Sequence, residues 1–190
     1  MIYSCLIKNS YKTREFFGYE LSPLLKKDME YIRRWRNEQT DILRQNTNIS
    51  PEEQEDYFNN FIKPTYSQEK PDQILFRFAM KEILIGYGGL TNIDWNAKRA
   101  EVSFLLSPIK QKAVYKKNFT FFLRTLKIIA FEDLKLNKIF TETYGIRLEH
   151  IKVLEDEGFI LEGILRQHNY INDKYVNSLI HSILMEDYYV

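Results

Sequence analysis

The order in which strand and helix patterns follow each other along the chain restricts its fold more than any other feature of the sequence. Between Tyr115 and Leu134, apolar residues recur at spacings of three and four, which predicts a long amphipathic helix. Strand patterns lie on both sides of this helix, at Arg99 to Leu106 and at Lys138 to Tyr144. Two strands joined through one helix can lie parallel and adjacent, through a right-handed crossover.

Three further helices are predicted. The segment "SPLLKKDMEYIRRWRNE" forms the first, because its apolar residues fall on one helical stripe. The segment "SPEE" starts the second, since a capping hydroxyl, a proline and a reciprocating glutamate occur together there. The predicted buried face of this helix consists of Tyr57, Phe58, Phe61 and Ile62. The last helix runs from Leu148 to Glu157 and stops at Gly158, a residue suited to left-handed backbone.

Alternating or β-branched segments predict five more strands. They are Gly18 to Leu21, Gln73 to Met80, Ile83 to Asn92, Phe159 to Leu165 and Lys174 to Met185, the last two paired as a hairpin around "RQHNYIND". We therefore predict an α/β, or α+β, fold with a mixed, mostly antiparallel seven-stranded sheet and helices on both faces. One domain spans residues 1–190, with 1–17 as an N-terminal extension or extra strand.

The composition is that of a globular protein, with 44% hydrophobic and 28% charged residues among 190. The formal charge of +1 gives no bulk reason to expect nucleic acid or a membrane as partner. Cys5 is the only cysteine, and neither CxxC nor HExxH occurs, so we expect no disulfide within the chain and no metal site. The opening stretch lacks the apolar core of a signal peptide or anchor, which predicts a cytoplasmic protein.

Three segments resemble one enzyme family in register. They are "YELSPLLKKDMEYIRRWRNE", "LIGYGGLTNIDWNAKRAEVSFLLSP" and "AFEDLKLNKIFTETYGIRLEHIKVLEDEGFILEGILRQHNYINDKYVNSLIHSIL". Together they resemble the Gcn5-related N-acetyltransferase (GNAT) family, in particular its bacterial branch of ribosomal-protein and amino-sugar N-acetyltransferases. The resemblance implies transfer of an acetyl group from acetyl-coenzyme A to a primary amine.

The resemblance also implies where the coenzyme binds. The fourth and fifth predicted strands should be parallel and splayed, so that the pantetheine arm pairs with the backbone of Phe104, Leu105 and Leu106. The pyrophosphate should lie against the start of the long helix, where helix amides lack internal partners. This segment contains no glycine, unlike the family pattern, but several lysines, which also fit a solvated basic surface. The further cofactor candidates are Lys110, Gln111, Lys112, Tyr115, Lys116, Asn118 and Arg147.

Three residues are catalytic candidates, because the amine must lose a proton and the departing thiolate must gain one. Glu101 can accept the amine proton, or can be a strand carboxylate paired with an Arg or Lys. His150 can relay a proton near neutral pH, or can be an exposed residue in the first turn of its helix. Tyr144 can donate to the thiolate, or can be a packing residue.

Acceptor recognition is expected from the first helix and the terminal hairpin. Trp35 can stack on a sugar or base, or be a buried core residue, and Arg36 can fork a phosphate. The further candidates are Asn37, His168 and His181. Strand parity allows at most one of Ser178 and His181 to face the cleft.

Three functions remain open from the sequence. The first is acetylation of an amino sugar, which is often nucleotide-linked. The second is acetylation of a protein N-terminus, and the third is a noncatalytic module of the same fold. A homodimer is also possible, through an exposed edge strand that carries Tyr175, Val176, Leu179, Ile180 and Ile183.

Overall fold

A computed structural model describes residues 2–7, 14–16, 18–108 and 112–189. The helices in this part of the chain are α1 (Ser4–Ile7), α2 (Met29–Asn37), α3 (Pro51–Tyr57), α4 (Lys112–Lys127), α5 (Leu148–Asp156) and α6 (Met185–Tyr188). Helices α3 and α4 each continue into a π-helical turn, Phe58–Ile62 and Ile128–Asp133. The strands are β1 (Arg14–Phe16), β2 (Tyr19–Pro23), β3 (Ile74–Met80), β4 (Ile83–Asp94), β5 (Arg99–Leu106), β6 (Lys138–Tyr144), β7 (Ile160–Ile171) and β8 (Lys174–Leu184).

All strands lie in one sheet, in the order β1-β2-β3-β4-β5-β6-β8-β7. The seven predicted strands are confirmed, and the three-residue β1 extends the sheet beside β2. Only β5 and β6 pair in parallel among the described strands. Helix α4 connects these two strands, as the periodicity predicts. The extent of the domain over residues 1–190 stays a prediction.

The parallel strands β5 and β6 separate along their length. They pair only over Arg99 to Glu101, opposite Lys138 to Phe140. On its other side β5 stays paired with β4 as far as Leu106. The carboxyl-terminal half of β5 therefore has an edge that none of the described strands covers. This separation confirms the predicted splay and opens a gap through the sheet.

Helices cover both faces of the sheet. On one face, the ring of Phe104 stacks on Phe119 of α4, with centroids 4.5 Å apart, and also contacts Phe122. The neighbouring β5 residues point the opposite way, because side chains alternate across a strand. Ser103 accordingly faces α2 and α3. The two faces of the gap are thus built by different helix pairs.

Two local predictions about helix ends are confirmed. Ser50 and Glu53 form a reciprocal capping box, with Glu53 N donating to Ser50 Oγ at 3.1 Å and Ser50 N to Glu53 Oε2 at 2.7 Å. Gly158 follows α5 with φ of +88°, a conformation that only glycine adopts readily. Both signals are local, so they could be read without knowledge of the tertiary fold.

The predicted buried face of the second helix is wrong in part. Phe58 and Ile62 are buried, but Tyr57 and Phe61 are 40% and 59% exposed and stack on each other. Residues four apart line the inner side here, beginning with the buried Gln54. The apolar character of Tyr57 and Phe61 did not reveal which side meets the sheet.

The predictions for the terminal hairpin also need correction. Most of "RQHNYIND" is strand, and only Asn172 and Asp173 form the turn, with φ of 49° and 60°. Positive φ at both positions is typical of a tight two-residue hairpin turn. Strand β8 lies inside the sheet, between β6 and β7. The sheet edge is therefore β7, not the strand that carries Tyr175 and Val176. None of the helices in the described segments has the length and apolarity needed to cross a bilayer.

Candidate functional site

The gap between β5 and β6 forms a cleft of ≈ 240 Å³. Its walls include all three catalytic candidates, Glu101, Tyr144 and His150. Arg36 and Arg147 line it as well. The fold thus brings together residues that are more than one hundred positions apart in the chain.

Glu101 stands on the side of the cleft that faces α2 and α3. Its side chain is buried, with 6% exposure, and forms an ion pair with Arg44. Asn92 Nδ2 donates to Glu101 Oε2 at 2.8 Å. Arg44 also lies 3.8 Å from Glu142, a second carboxylate of the cleft. Glu101 is therefore both ion-paired and placed in the cleft, so the two readings of this residue are compatible.

Asn92 is held in position by an irregularity in β4. The register between β4 and β5 shifts between Thr91 and Asp94. Asn92 lies in this shift with φ of 50°, which asparagine tolerates better than most residues. The bulge turns its side chain toward Glu101. Sequence analysis missed Asn92, Arg44 and Glu142, since neither a bulge nor a loop-to-strand ion pair leaves a periodic signal.

The opposite side of the cleft is built by α4 and α5 around His150. His150 is buried, not exposed as one sequence reading expected, and its ring stacks on Phe119 with centroids 4.1 Å apart. Tyr115 Oη lies 2.6 Å from His150 Nδ1, and Arg147 Nη2 lies 3.2 Å from Tyr115 Oη. Burial, followed by the charges of Arg147 and His181, holds the pKa of His150 well below its usual 6.5. The imidazole is therefore neutral at pH 7.

The partners of His150 also fix its tautomer. Arg147 can only donate, and it donates to Tyr115 Oη, so the proton of Tyr115 is free to point at His150 Nδ1. Burial raises the pKa of Tyr115, which keeps that hydroxyl protonated. Nδ1 is then an acceptor and the ring proton sits on Nε2. The neutral ring therefore carries its hydrogen-bond donor at Nε2, on the side away from Tyr115.

Tyr144 lies at the end of β6. Its side chain is buried, and burial raises the pKa of its hydroxyl above the usual 10.0. Its position along β6 has the same parity as that of Glu142, so it faces the α2 and α3 side. A protonated phenol at this place can donate to a developing anion.

Several residues fit the coenzyme expected from the sequence. The uncovered edge of β5, from Val102 onward, offers backbone groups that an extended amide arm can pair with. Gln39 Nε2 already donates to the carbonyl of Leu106 at 2.9 Å, which shows that this edge accepts hydrogen bonds. Phe104 lines the cleft, whereas the side chains of Leu105 and Leu106 are buried. Of the latter two, only Leu106 can serve the predicted role through its backbone, because backbone groups alternate in direction along a strand and those of Leu105 point toward β4.

The remaining cofactor candidates have different surroundings. Lys110 and Gln111 lie outside the described residues, as does the side chain of Lys112. Lys116 pairs with Asp156 at 2.8 Å on the surface. Asn118 is corrected, because it is buried and its Oδ1 accepts from Tyr19 Oη at 3.0 Å, away from the cleft.

Tyr115 and Arg147 are reassigned in part. The hydroxyl of Tyr115 bonds to His150 and Arg147, so it positions these side chains within the cluster. Arg147 lines the cleft and can reach a bound molecule. The sequence placed both residues on the correct side of the site but not in the hydrogen-bonded group they form.

The acceptor candidates on α2 divide into a site residue and two supporting residues. Arg36 lines the cleft, with its guanidinium held by Gln45 at 3.0 Å and by Tyr87 Oη at 2.8 Å. Asn37 instead bonds to both backbone groups of Ile49, at 2.9 Å each, and fixes that loop. Trp35 is half-buried and packs against the core, in line with its alternative reading.

The two histidine candidates of the hairpin have different surroundings. His168 is exposed, lies 3.8 Å from Glu142 and lines a polar depression that also includes Tyr144. His181 is corrected, because it is fully buried and neither ring nitrogen has a hydrogen-bond partner in the described structure. It therefore cannot contact an acceptor at the cleft. Ser178, which was weighed against it, is also fully buried.

Comparisons with known proteins give one family and one fold. A family model described as "Acetyltransferase (GNAT) domain" matches residues 21–180. A Vibrio cholerae spermidine N-acetyltransferase structure in complex with CoA and spermine superposes with a TM-score of 0.80 and 21% identity, covering 91% of this chain and 99% of that one. A dodecameric structure of the spermidine N-acetyltransferase from the same organism gives 0.75 and 21%, with 90% and 96% covered. No curated protein sequence matches significantly.

Proposed function

The chain belongs to the GNAT acetyltransferase family, and we propose that its acceptor is a primary amine that also carries phosphate, as a nucleotide-linked amino sugar does. N-acetyltransferase activity with acetyl-coenzyme A as donor follows from the family, so the noncatalytic alternative is set aside. The identity of the acceptor is the new step, and it rests on the charges of the cleft.

The observation that supports a phosphate-bearing acceptor is the guanidinium of Arg36. Its described partners are the neutral groups of Gln45 and Tyr87, and no carboxylate pairs with it in the described part of the chain. A half-buried cation without a counter-ion is an anion site, because burial strengthens its interaction with an incoming negative charge. A planar, five-donor guanidinium suits phosphate in particular.

The other charges of the cleft support the same conclusion. Three arginines line it, Arg36, Arg44 and Arg147, against the two carboxylates Glu101 and Glu142. Arg44 already interacts with both carboxylates. The cleft therefore offers a polyamine no free pair of carboxylates for its several ammonium groups. The likeness to spermidine acetyltransferases, at 21% identity, concerns the fold.

The roles of the residues follow from their places in the cleft. Acetyl-coenzyme A supplies the activated acetyl group when it is bound. Glu101, held by Arg44 and Asn92, accepts a proton from the acceptor ammonium and so frees the nitrogen lone pair. Tyr144 donates its hydroxyl proton to the departing sulfur and takes up the second proton that the acetylated nitrogen loses, so that it ends the reaction as a phenol. His150 donates a hydrogen bond from Nε2 without changing its charge.

An acceptor panel tests this proposal. We expect the purified chain to acetylate a nucleotide-linked amino sugar faster than spermidine or a peptide N-terminus. Arg36→Gln should raise the acceptor KM about tenfold or more, because a charge-assisted hydrogen bond is lost, and should leave coenzyme A binding unchanged. Arg34→Gln, on the exposed side of the same helix, is the matched control. Faster turnover of spermidine, or an unchanged KM in Arg36→Gln, would refute the proposal.

The homodimer expected from the sequence used β8 as the edge strand, but β8 lies inside the sheet. We propose self-association through the edge strand β7 instead. This edge exposes Ile160, Leu161, Ile164 and Leu165. An exposed apolar edge can pair with a second copy. A monomeric mass by light scattering would reject it.

A further inference from the structure

A second cavity of ≈ 340 Å³ lies next to the catalytic cleft, between the sheet and helices α2 and α3. Its walls are mostly aliphatic, from Leu24, Met29, Ile32, Ile49, Ile62 and Leu75. We refer to this space as the chamber. The chamber is partly open to solvent, since its lining residue Tyr57 is 40% exposed. Its volume falls in the range of small-molecule sites, roughly 300–1,000 Å³.

The chamber and the catalytic cleft meet at three shared residues. Arg36, Thr91 and Ser103 line both spaces. A molecule whose amine lies beside Glu101 can therefore pass Arg36 and extend into the chamber. Along this path the molecule meets first Glu101, then the guanidinium of Arg36, and then the apolar walls of the chamber.

One buried amide in the chamber lacks a strong partner. Gln54 is 5% exposed and lines the chamber. The only hydrogen bond of its side chain in the described structure is from Nε2 to Met29 Sδ at 3.5 Å, and a thioether is a weak acceptor. A buried primary amide is costly unless it is well bonded, so Gln54 is suited to meet a ligand with both a donor and an acceptor.

The aromatic residues of the chamber are already satisfied at their polar ends. Tyr57 Oη donates to Gln73 at 3.0 Å, and Tyr87 Oη accepts from Arg36 at 2.8 Å. Phe61 stacks on one face of the Tyr57 ring, so its other face and the ring of Tyr87 are the flat apolar surfaces on which a planar group can pack. Asn37 holds the backbone of Ile49, so this wall is fixed before a ligand arrives.

We infer that the chamber binds the planar base of a nucleotide-linked acceptor, with the edge of the base paired to the amide of Gln54. The inference rests on the proposed function in taking the acceptor to be nucleotide-linked. In such a molecule the amine, the phosphates and the base follow one another, and the cleft, Arg36 and the chamber follow in the same order. A nucleobase edge presents adjacent donor and acceptor atoms, which a primary amide pairs with in two hydrogen bonds.

The test measures binding of free nucleoside monophosphates by calorimetry. The full chain is first saturated with coenzyme A, so that an adenine nucleotide cannot enter the cofactor site. Uridine and adenosine monophosphates are compared with inorganic phosphate, which separates pyrimidine from purine and base from phosphate. We expect one of the two nucleotides to bind at least tenfold more tightly than phosphate alone.

Two variants then locate the bound base. Gln54→Leu keeps the side-chain size, and we expect it to weaken nucleotide binding about tenfold while phosphate binding stays unchanged. Gln68→Leu, on an exposed loop, is the matched control. Ile49→Trp fills the chamber and should abolish the preference for nucleotide over phosphate. Thermal melts of each variant with coenzyme A confirm folding.

The outcomes separate this inference from the proposed function. Equal binding of nucleotides and phosphate, or nucleotide binding that survives both chamber variants, overturns the inference even if a nucleotide-linked amino sugar is acetylated. Nucleotide binding that depends on Gln54 supports the chamber site even if the acceptor panel fails.

Discussion

The two sides of the cleft differ in the charged groups that they carry. On the side of α2 and α3, Glu101 and Glu142 interact with Arg44. Arg36 has no carboxylate partner in the described part of the chain. On the side of α4 and α5, His150 is neutral, buried and stacked on Phe119. The first side can accept a proton and hold an anion. The second places the charged Arg147 beside the neutral His150, and their hydrogen bonds with Tyr115 hold both side chains in position.

The difference explains why two titratable groups in one cleft need not compete for the same role. A general base should lie where it can take up a proton from the bound amine. The proposed base, Glu101, lies at such a place in the cleft. His150 is held in one tautomer by Tyr115 and Arg147, so its use as a base would require breaking those contacts. The comparison therefore supports the proposal that proton acceptance belongs to the side of Glu101 and hydrogen-bond donation to the side of His150.

The largest expected effect comes from removing the proton acceptor. Glu101→Gln keeps the shape and the contact with Asn92 but cannot take a proton, so kcat should fall by about a hundredfold or more at pH 7. Steady-state kinetics measures the effect, with the coenzyme A-induced shift in melting temperature as a folding control. Glu149→Gln, in a carboxylate outside the cleft lining, should leave kcat unchanged. Retention of most activity in Glu101→Gln would assign the base elsewhere and break the comparison.

The neutral state of His150 predicts a stability that depends on pH. The pKa of His150 is lowered in the folded state, so below the usual 6.5 the unfolded chain binds a proton that the folded chain does not. The contribution is present above pH 6.5 and is lost as pH falls, by up to about 1.4 kcal/mol per pH unit. Denaturant titrations between pH 7.5 and about 5 measure it. His150→Phe should reduce this slope, with a remainder from the buried His181, whose pKa is also lowered by burial, whereas His168→Asn, at an exposed site, should leave the slope unchanged. Equal slopes in the wild type and His150→Phe would show that His150 is not held neutral.

Removal of the Tyr115 hydroxyl sharpens the assignment of the tautomer. Tyr115→Phe leaves the ring packing but deletes the bridge between Arg147 and His150, and we expect kcat to fall about three- to tenfold. The nitrogen resonances of His150 in an NMR spectrum should report the proton on Nε2 in the wild type. In the variant the other tautomer should become more populated, because only the 3.3 Å contact from Arg147 Nη2 then keeps Nδ1 an acceptor. A wild-type spectrum with the proton on Nδ1 would contradict the donor role.

The smallest expected effects concern Asn92, where two substitutions separate the contribution of the side chain from that of the backbone conformation. Both Asn92→Gly and Asn92→Ala lose the bond to Glu101, so both should lower kcat by about three- to fivefold. Only alanine is strained at φ of 50°, and its variant should be less stable by about 1 kcal/mol than the glycine variant. Kinetics and urea denaturation on the two proteins measure these values. Equal stability would show that the bulge relaxes when the side chain is removed.

Much of the fold was predictable because its signals are local. The periodicity of α4, the capping box at Ser50 and the termination at Gly158 each depend on residues within a few positions of one another. The crossover between β5 and β6 then follows from general chirality rules. The buried face of α3 was harder to predict, because Tyr57 and Phe61 are apolar yet exposed.

The candidate site was predictable only at those residues that could be matched one by one to the family pattern. Glu101, Tyr144, His150 and Arg36 were identified and do meet in one cleft. Asn118 and His181 were misplaced, since side-chain type alone does not reveal burial. Arg44, Asn92 and Gln54 were missed, because their roles arise from a loop, a bulge and a helix that contact residues far away in the chain.

The amino-acid sequence by itself determined which segments become helices and strands, since propensity, periodicity and capping act over a few residues. Only the tertiary structure decided which charges are compensated and which are left open. Arg44 pairs with Glu101, 57 positions further along the chain, whereas the partners of Arg36 among the described residues, Gln45 and Tyr87, are neutral. Such pairing depends on packing between distant segments, and the chemistry of the cleft depends on that pairing.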